Sequence, residues 1–380
     1  MAAMEKNNKN LNVPNLRFPE FSGEWENTLL NCYLEENKER NKKGLFTKND
    51  VLSVSGDYGV VNQIELLGRS FAGKSLLDYH VVRSGNIVYT KSPLKEYPYG
   101  IVKVNDGIDG IVSTLYAVYT VKENADGKFI ENYFGLPSRT NRYFKPIVRI
   151  GAKHDMKIGN DEVLANHVIF PRLDEQKRIS DFISLLDQRI ATQRKIIEKY
   201  ESLIRGLCEK LTRQGATNKT IAECLECHSS TLQESAILDA GSYPVYGAIG
   251  ICGYTDTPDV SGDGVLIIKD GASVGVTYFA DGRYSFIGTL NRLTAKEDIN
   301  LRYVYYNLKV LNFTPYKTGL AIPHIYFKDY GQHKIWCPSY EQQSYIANIL
   351  KRIDDKIQVE KSLLEQLNSQ KRYMLNQMFI

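Results

Sequence analysis

Residues 170–211 read FPRLDEQKRISDFISLLDQRIATQRKIIEKYESLIRGLCEKL, and residues 337–378 read CPSYEQQSYIANILKRIDDKIQVEKSLLEQLNSQKRYMLNQM. The two stretches align at an offset of 167. Pro171 falls on Pro338, Gln176 on Gln343, Ile179 on Ile346, Asp187 on Asp354, Ile190 on Ile357 and Glu198 on Glu365. In the first copy Ile179, Ile183, Leu186, Ile190, Gln193, Ile197, Tyr200, Ile204, Leu207 and Leu211 alternate steps of four and three. The second gives Ile346, Leu350, Ile353, Ile357, Glu360, Leu364, Leu367, Lys371, Met374 and Met378. Such steps put one narrow apolar seam on a long helix, the coiled-coil pattern. Each copy opens at a proline, which suits a helix start and not its interior. The polar interruption, Gln193 and Glu360, falls at the same place in both; it reads equally as a buried polar pair or as a slip toward solvent. At ~1.5 Å per residue each helix is a rod on the order of 50 Å long. A seam this narrow needs a partner, so the two rods are expected to pack on each other. The plainer alternative is a helical hairpin that only holds the fold together.

The flanking segments differ in kind. Residues 16–170 and 214–337 are rich in Gly, Tyr and β-branched residues, in short runs such as GNIVYT (85–90) and GVLIIK (264–269) punctuated by Gly and Asp/Asn. They read as two mostly β globules. The expected order is a disordered tail over 1–15, a domain over 16–170, a helical region over 171–213, a second domain over 214–337 and a second helical region over 338–380. The fold class is α+β: two mixed, mostly β domains separated by two long helices packed as an antiparallel coiled coil. Tyrosine, 25 of 380 residues, suits strands and polar contact faces.

Composition narrows the function. Charged residues are 24% and hydrophobic residues 43%, as in an ordinary folded protein. No apolar run approaches the ~18 residues of a membrane helix. The opening MAAMEKNNKNLNVPNLRF lacks a signal-peptide core, and six scattered cysteines fit a reducing compartment, so the cytoplasm is expected. The net charge of +4 is too small to argue for nucleic-acid binding unless the charge is concentrated.

Catalytic motifs are tempting but incomplete. GRSFAGKS (68–75) matches the phosphate-loop pattern, which needs a strand before it and a full helix after it; LLDYHVVRSG, which follows, leaves room for one short turn. A P-loop nucleotide-binding enzyme is therefore the alternative function, beside a coiled-coil scaffold with no DNA role. Cys224-Leu-Glu-Cys227-His228 has haem-attachment spacing without an export signal, and as a zinc half-site it lacks its other half. No serine-nucleophile, metalloprotease or adenine-methylation motif appears, so no catalytic or metal-ligating residue is assigned.

Positive charge gathers just before each rod. Residues 135–158 hold Arg139, Arg142, Lys145, Arg149, Lys153 and Lys157 against one acid, Asp155; residues 301–328 hold Arg302, Lys309, Lys317 and Lys328 with none. Phosphate backbones reward such clusters through counterion release, and arginine can read guanine with two hydrogen bonds. A solvated loop would look similar, but recurrence in both globules favours a shared ligand. The turns TKSP (90–93) and KDGASVG (269–275) add amides and hydroxyls. The candidate DNA-binding residues are Lys91, Ser92, Arg139, Arg142, Arg149, Lys153, Lys269, Ser273, Arg292, Arg302, Lys317, Thr318 and His324.

With this order established, the chain resembles the specificity (S) subunit of type I restriction–modification systems over nearly its whole length. The resemblance rests on IFPRLDEQKRISDFISLLDQRI and IWCPSYEQQSYIANILKRIDDKI, on LRFPEFSGEWENTLL (16–30) and on TGLAIPHIYFKDYGQHKIWCP (318–338). The second copy has Glu341-Gln342-Gln343 where the family usually shows Glu-Gln. The resemblance implies a subunit without catalysis that reads a split, asymmetric target in double-stranded DNA, one half-site per recognition domain. The rods would serve as a ruler for the unread spacer. It also implies two methyltransferase subunits using S-adenosylmethionine, restriction subunits using ATP and Mg, and no cofactor in this chain.

Overall fold

A computed structural model describes residues 12–73, 75–94, 97–150, 156–319 and 321–380. The chain divides into two compact units: residues up to Thr192 together with Leu364–Ile380, and Gln193–Leu363. Its eight α-helices among the described residues are α1 (Gln63–Leu67), α2 (Gly127–Tyr133), α3 (Pro137–Phe144), α4 (Leu173–Leu211), α5 (Ile221–Cys224), α6 (Leu301–Lys309), α7 (Phe327–Tyr330) and α8 (Tyr340–Gln377). The two long helices are α4 and α8, and both begin within three residues of the prolines that open the repeat. Asp174 and Glu175 in the first turn of α4 and Lys210 in its last complement the helix dipole. Each unit holds part of each long helix, so the units cut across the expected sequential segments.

In the first unit, strands Leu34–Glu36, Ala117–Val121, Ile87–Tyr89 and Val102–Val104 form one antiparallel sheet in that order. Its inner face joins Trp25, Phe129 and Phe170 in a core with Ile179, Ile183 and Leu186 of α4 and with Leu375, Met378 and Phe379 from the end of α8. The start of α4 therefore meets the end of α8, which makes the pair antiparallel. Two smaller ladders, Leu52–Ser55 with Gly59–Asn62 and His80–Val82 with Gly110–Val112, lie outside that sheet. The tail expected over 1–15 lies mostly outside the described residues. Residues 12–15 depart from it, because the Asn12 carbonyl accepts the Trp25 N–H at 2.7 Å.

The second unit repeats the plan with other residues. Leu225–Ser229, Leu290–Ala295, Gly264–Ile268 and Thr277–Ala280 form one antiparallel sheet. Gly250–Thr255, Tyr243–Gly247, Arg283–Phe286 and Val260–Ser261 form another, with one parallel pairing, Val245 beside Ser285. Ile204 and Cys208 of α4 share a core with Ile346, Ala347 and Leu350 of α8, again antiparallel. Among the seam residues Ile183, Leu186, Ile190, Ile197, Leu350 and Ile357 are buried, while Ile353 and Leu364 are half-buried.

The polar interruption of the seam is buried. Gln193 is 6% and Glu360 8% exposed, and the Gln193 amide donates to the Glu360 carbonyl at 3.1 Å and to its carboxylate. The Lys356 ammonium and the Gln193 amide hold the Glu360 carboxyl below its usual range. A polar layer of this kind fixes register at some cost in stability.

The repeated glutamine has a clear task. Gln176 is fully buried; its amide donates to the Pro171 carbonyl at 2.9 Å, and its oxygen accepts the Asp126 N–H at 2.9 Å. Gln343 is equally buried, donates to the Pro338 carbonyl at 2.9 Å and accepts the Asn300 N–H at 2.9 Å. Asp126 caps α2 and Asn300 caps α6. One side chain thus ties the entry of a long helix to the start of a domain helix, and satisfies main-chain groups that burial would otherwise penalise.

Candidate nucleic-acid interface

In the second unit, the two stretches singled out from sequence are joined. The turn after Gly264–Ile268 and the loop before α7 meet through Gly271 N–H to the Pro323 carbonyl (2.9 Å), Ile325 N–H to the Lys269 carbonyl (2.9 Å) and the His324 ring to the Asp270 carboxylate (2.7 Å). Thr318 and His324 exchange main-chain hydrogen bonds at 2.9 and 2.8 Å, closing the loop into a tight bend. Gly319 sits in that bend at φ +87°, where a Cβ would lie 2.3 Å from the Ile322 carbonyl, so only glycine fits. This brings together Lys269, Ser273, Lys317, Thr318 and His324. Ser273, Lys317 and Thr318 are exposed; the Thr318 hydroxyl donates to the His324 carbonyl at 3.4 Å, while Ser273 and Lys317 offer a hydroxyl and an ammonium at the surface where phosphates or base edges could meet them.

Two other candidates of this unit are engaged elsewhere. Arg292 donates to the Tyr284 hydroxyl (2.8 Å) and the Asp263 carbonyl (2.9 Å), and borders a polar groove with His228, Ser229, Thr231 and Gln233. The Arg302 guanidinium lies 3.6 Å over the Phe279 ring. That stacking fixes its plane, and Arg302 makes no hydrogen bond among the described residues.

The first unit supplies a looser set. Arg149 and Lys157 face each other across the two-residue ladder Arg149–Ile150 with Met156–Lys157, and both are exposed, as is Lys145. Lys153 lies outside the described residues. Lys91 stands at φ +46° and donates to Asn160 at 2.9 Å; burial lowers its pKa against the pull of Glu36. Ser92 beside it is half-buried. Arg142 is exposed and donates to the Ile380 oxygen at 3.2 Å.

Arg139 must be taken out of the expected set. It is 7% exposed, donates to the Leu375 and Phe379 carbonyls at 2.7 and 3.3 Å, and lies over the Tyr133 and Phe379 rings. Burial pushes its pKa down to about 10, which leaves it charged at neutral pH, where it caps the last carbonyls of α8. A charge count along the sequence cannot distinguish an arginine turned inward from one turned out.

The phosphate-loop pattern is not built as one. A helix, α1, precedes it; Gly68 is that helix's left-handed C-cap at φ +75°, and residues 69–73 and 75–79 are not helical before the strand His80–Val82. Lys74 is outside the described residues. Cys224 and Cys337 are buried thiols paired with one another, and among the described residues no three His, Cys, Asp or Glu side chains are grouped to hold a metal ion. No described helix is long and apolar enough to cross a membrane. The sequence reading passed over the run NKERNKK (37–43), whose lysines are exposed in the first unit.

Two dissimilar β-rich heads, each clamped by the same glutamine to antiparallel helices and each presenting cationic loops, define a helical scaffold that carries paired recognition-type domains. Residues 216–369, about two-fifths of the chain, match the family model described as "Type I restriction modification DNA specificity domain". The chain is similar to the type I restriction enzyme EcoprrI specificity subunit of Escherichia coli, 29% identical over 112 residues, 30% of this chain and 28% of that one. It is also similar to the MjaVIII specificity subunit of Methanocaldococcus jannaschii, 31% identical over 124 residues, 32% of this chain and 29% of that one. The matches thus span less than a third of these relatives' length. The fold extends further. The type I S subunit from M. genitalium aligns over 97% of this chain and 99% of its own, with TM-score 0.64 and 18% identity. A chain from a structure of type I restriction–modification complex assembly aligns over 93% and 97%, with TM-score 0.54 and 16% identity.

Proposed function

We infer that this chain is the non-catalytic DNA sequence-recognition subunit of a type I restriction–modification complex, acting in the cytoplasm. Each unit reads one half of a split, asymmetric target, and α4 with α8 serves as the ruler for the unread spacer. Two methyltransferase subunits carrying S-adenosylmethionine and restriction subunits carrying ATP and Mg are its partners; the chain itself takes no cofactor. The observation that carries this reading is the recurrence of one clamp, Gln176 and Gln343, beneath two heads with different loops. Identical mounting with different faces is what reading two unlike half-sites requires. Exposed Arg149 and Lys157 in one unit, and Lys317, Thr318 and Ser273 in the other, are the proposed contacts.

Mapping methylated adenines in cells that carry the chain with its methyltransferase partner tests this. Two unlike half-sites at fixed spacing are expected. Arg149→Gln or Lys317→Gln should weaken binding, and at a base-reading position should relax one half-site only, by about 1–3 kcal/mol. Methylation without sequence preference in the complete complex would overturn the reading.

A further inference from the structure

We propose that the first unit holds a second duplex-DNA contact, made by the loop Lys38–Lys48 and the segment Arg69–Ala72, which grips phosphates without reading sequence; this rests on the recognition function above. Lys38, Arg40, Lys42, Lys43 and Lys48 fall within 11 residues that contain one acid, Glu39. Lys42 is held by Asp78, whereas Lys43 and Lys48 are exposed and form no ion pair among the described residues. The loop is rigid. Asn41 donates to the Phe46 and Leu76 carbonyls at 2.8 and 3.3 Å, and Thr47 with Asp50 forms a reciprocal cap on the turn Lys48–Asp50.

The second segment is fixed beside the first. Phe46 packs in one small apolar cluster with Ala72, Leu76 and Tyr79, and the Gln63 side chain accepts the Phe71 N–H at 2.6 Å. Over this base the Arg69 guanidinium stacks 4.6 Å from the Phe71 ring, which is itself 58% exposed; Leu45, in the first loop, is 73% exposed. Holding such apolar groups in water on a rigid frame costs free energy unless a ligand covers them. An arginine on a projecting ring, in a segment that shares its apolar base with a lysine-rich loop, suits a duplex: the lysines take phosphates, and the ring can press on a sugar or a base step. The motif that resembled a phosphate loop thus gains a role at a phosphate backbone instead of a nucleotide.

The test is a salt titration of DNA binding by the chain assembled with its methyltransferase partner. Lys43→Gln with Lys48→Gln should weaken binding on the order of tenfold at 0.1 M salt and lower the slope of log K against log salt by about 2, at about 0.9 per phosphate. The loss should be the same on cognate and scrambled duplexes, with the methylated sequence unchanged. Phe71→Ala should weaken binding a few-fold at unaltered slope. Unchanged affinity and slope in the lysine variant, while Arg149→Gln and Lys317→Gln still weaken binding, would overturn this contact and leave the recognition function standing. So would loss of assembly with the partner, which would make the loop pair a protein-docking surface. No sequence-selective binding by the unaltered complex would overturn both.

Discussion

The two units agree where they are held and disagree where they face outward. At the helix entries the same glutamine meets the same kind of partners at matching distances. Away from the helices the likeness ends. Residues 229–268 of the second unit contain five acids and no Lys, Arg or His, whereas residues 38–48 of the first contain five cations and one acid. A buried polar group has few acceptable solutions, since its main-chain partners must be satisfied. A surface loop is restrained only by its ligand. If the ligand is one duplex with two unlike half-sites, the mounting should stay the same and the faces should diverge.

The agreement at the helix entries is incomplete, and the exception should give the largest effect. Glu175 is 3% exposed, takes a two-pronged ion pair from Arg17 at 2.7 Å and accepts the Trp25 indole N–H at 3.3 Å. Its repeat-equivalent, Gln342, is exposed. Glu175→Ala would leave the Arg17 charge largely buried and unpaired, which costs about 3–5 kcal/mol. Gln342→Ala should change stability by less than about 0.5 kcal/mol. Thermal unfolding followed by Trp25 fluorescence reads the first, and hydrogen exchange reads both. Equal effects would break the asymmetry drawn here.

The glutamine pair should behave alike. Gln176→Ala and Gln343→Ala each leave a buried or half-buried carbonyl and a half-buried N–H without their partner, at about 1–3 kcal/mol apiece. Protection lost at α2 in one variant should match that lost at α6 in the other. A difference beyond about 1 kcal/mol would show that the two clamps only look alike.

Much of this was legible in sequence because periodicity records burial. The steps of four and three located α4 and α8, and the shared interruption at Gln193 and Glu360 is the buried pair, one of the two readings the pattern allowed. The match of Gln176 with Gln343 was visible too, but its purpose was not: the partners Asp126 and Asn300 lie 50 and 43 residues upstream in segments with no common pattern. Cationic residues were the hardest to place. Arg139 and Arg149 look equivalent as letters, yet one side chain ends in the carbonyls closing α8 and the other in solvent. Which way a side chain points depends on the turn of α3 against the core, and no count of charges contains that.

Acid should separate the units by a smaller margin. In the first, burial, with Arg40 and Lys91 nearby, pushes the His80 imidazole down to about 4, and its Nδ1 has no hydrogen-bond partner among the described residues. An unfolded histidine titrates near 6.5, so between about pH 6.5 and 4 the unfolded chain binds a proton that the folded unit refuses. Stability therefore falls with pH across that window, by on the order of 1–2 kcal/mol at pH 5. In the second unit the lowered histidine, His333, is half-buried and bonded to the Tyr316 hydroxyl, and its shift is smaller. Glu360 there has a lowered pKa, so its contribution is complete above the unfolded value near 4.3 and is lost only as pH falls further. At pH 5 hydrogen exchange, corrected for its intrinsic pH dependence, should loosen the ladder around His80 while the second unit holds. His80→Gln should abolish that difference. Equal loosening of both units at pH 5 would mean that His80 does not set the acid response of the first.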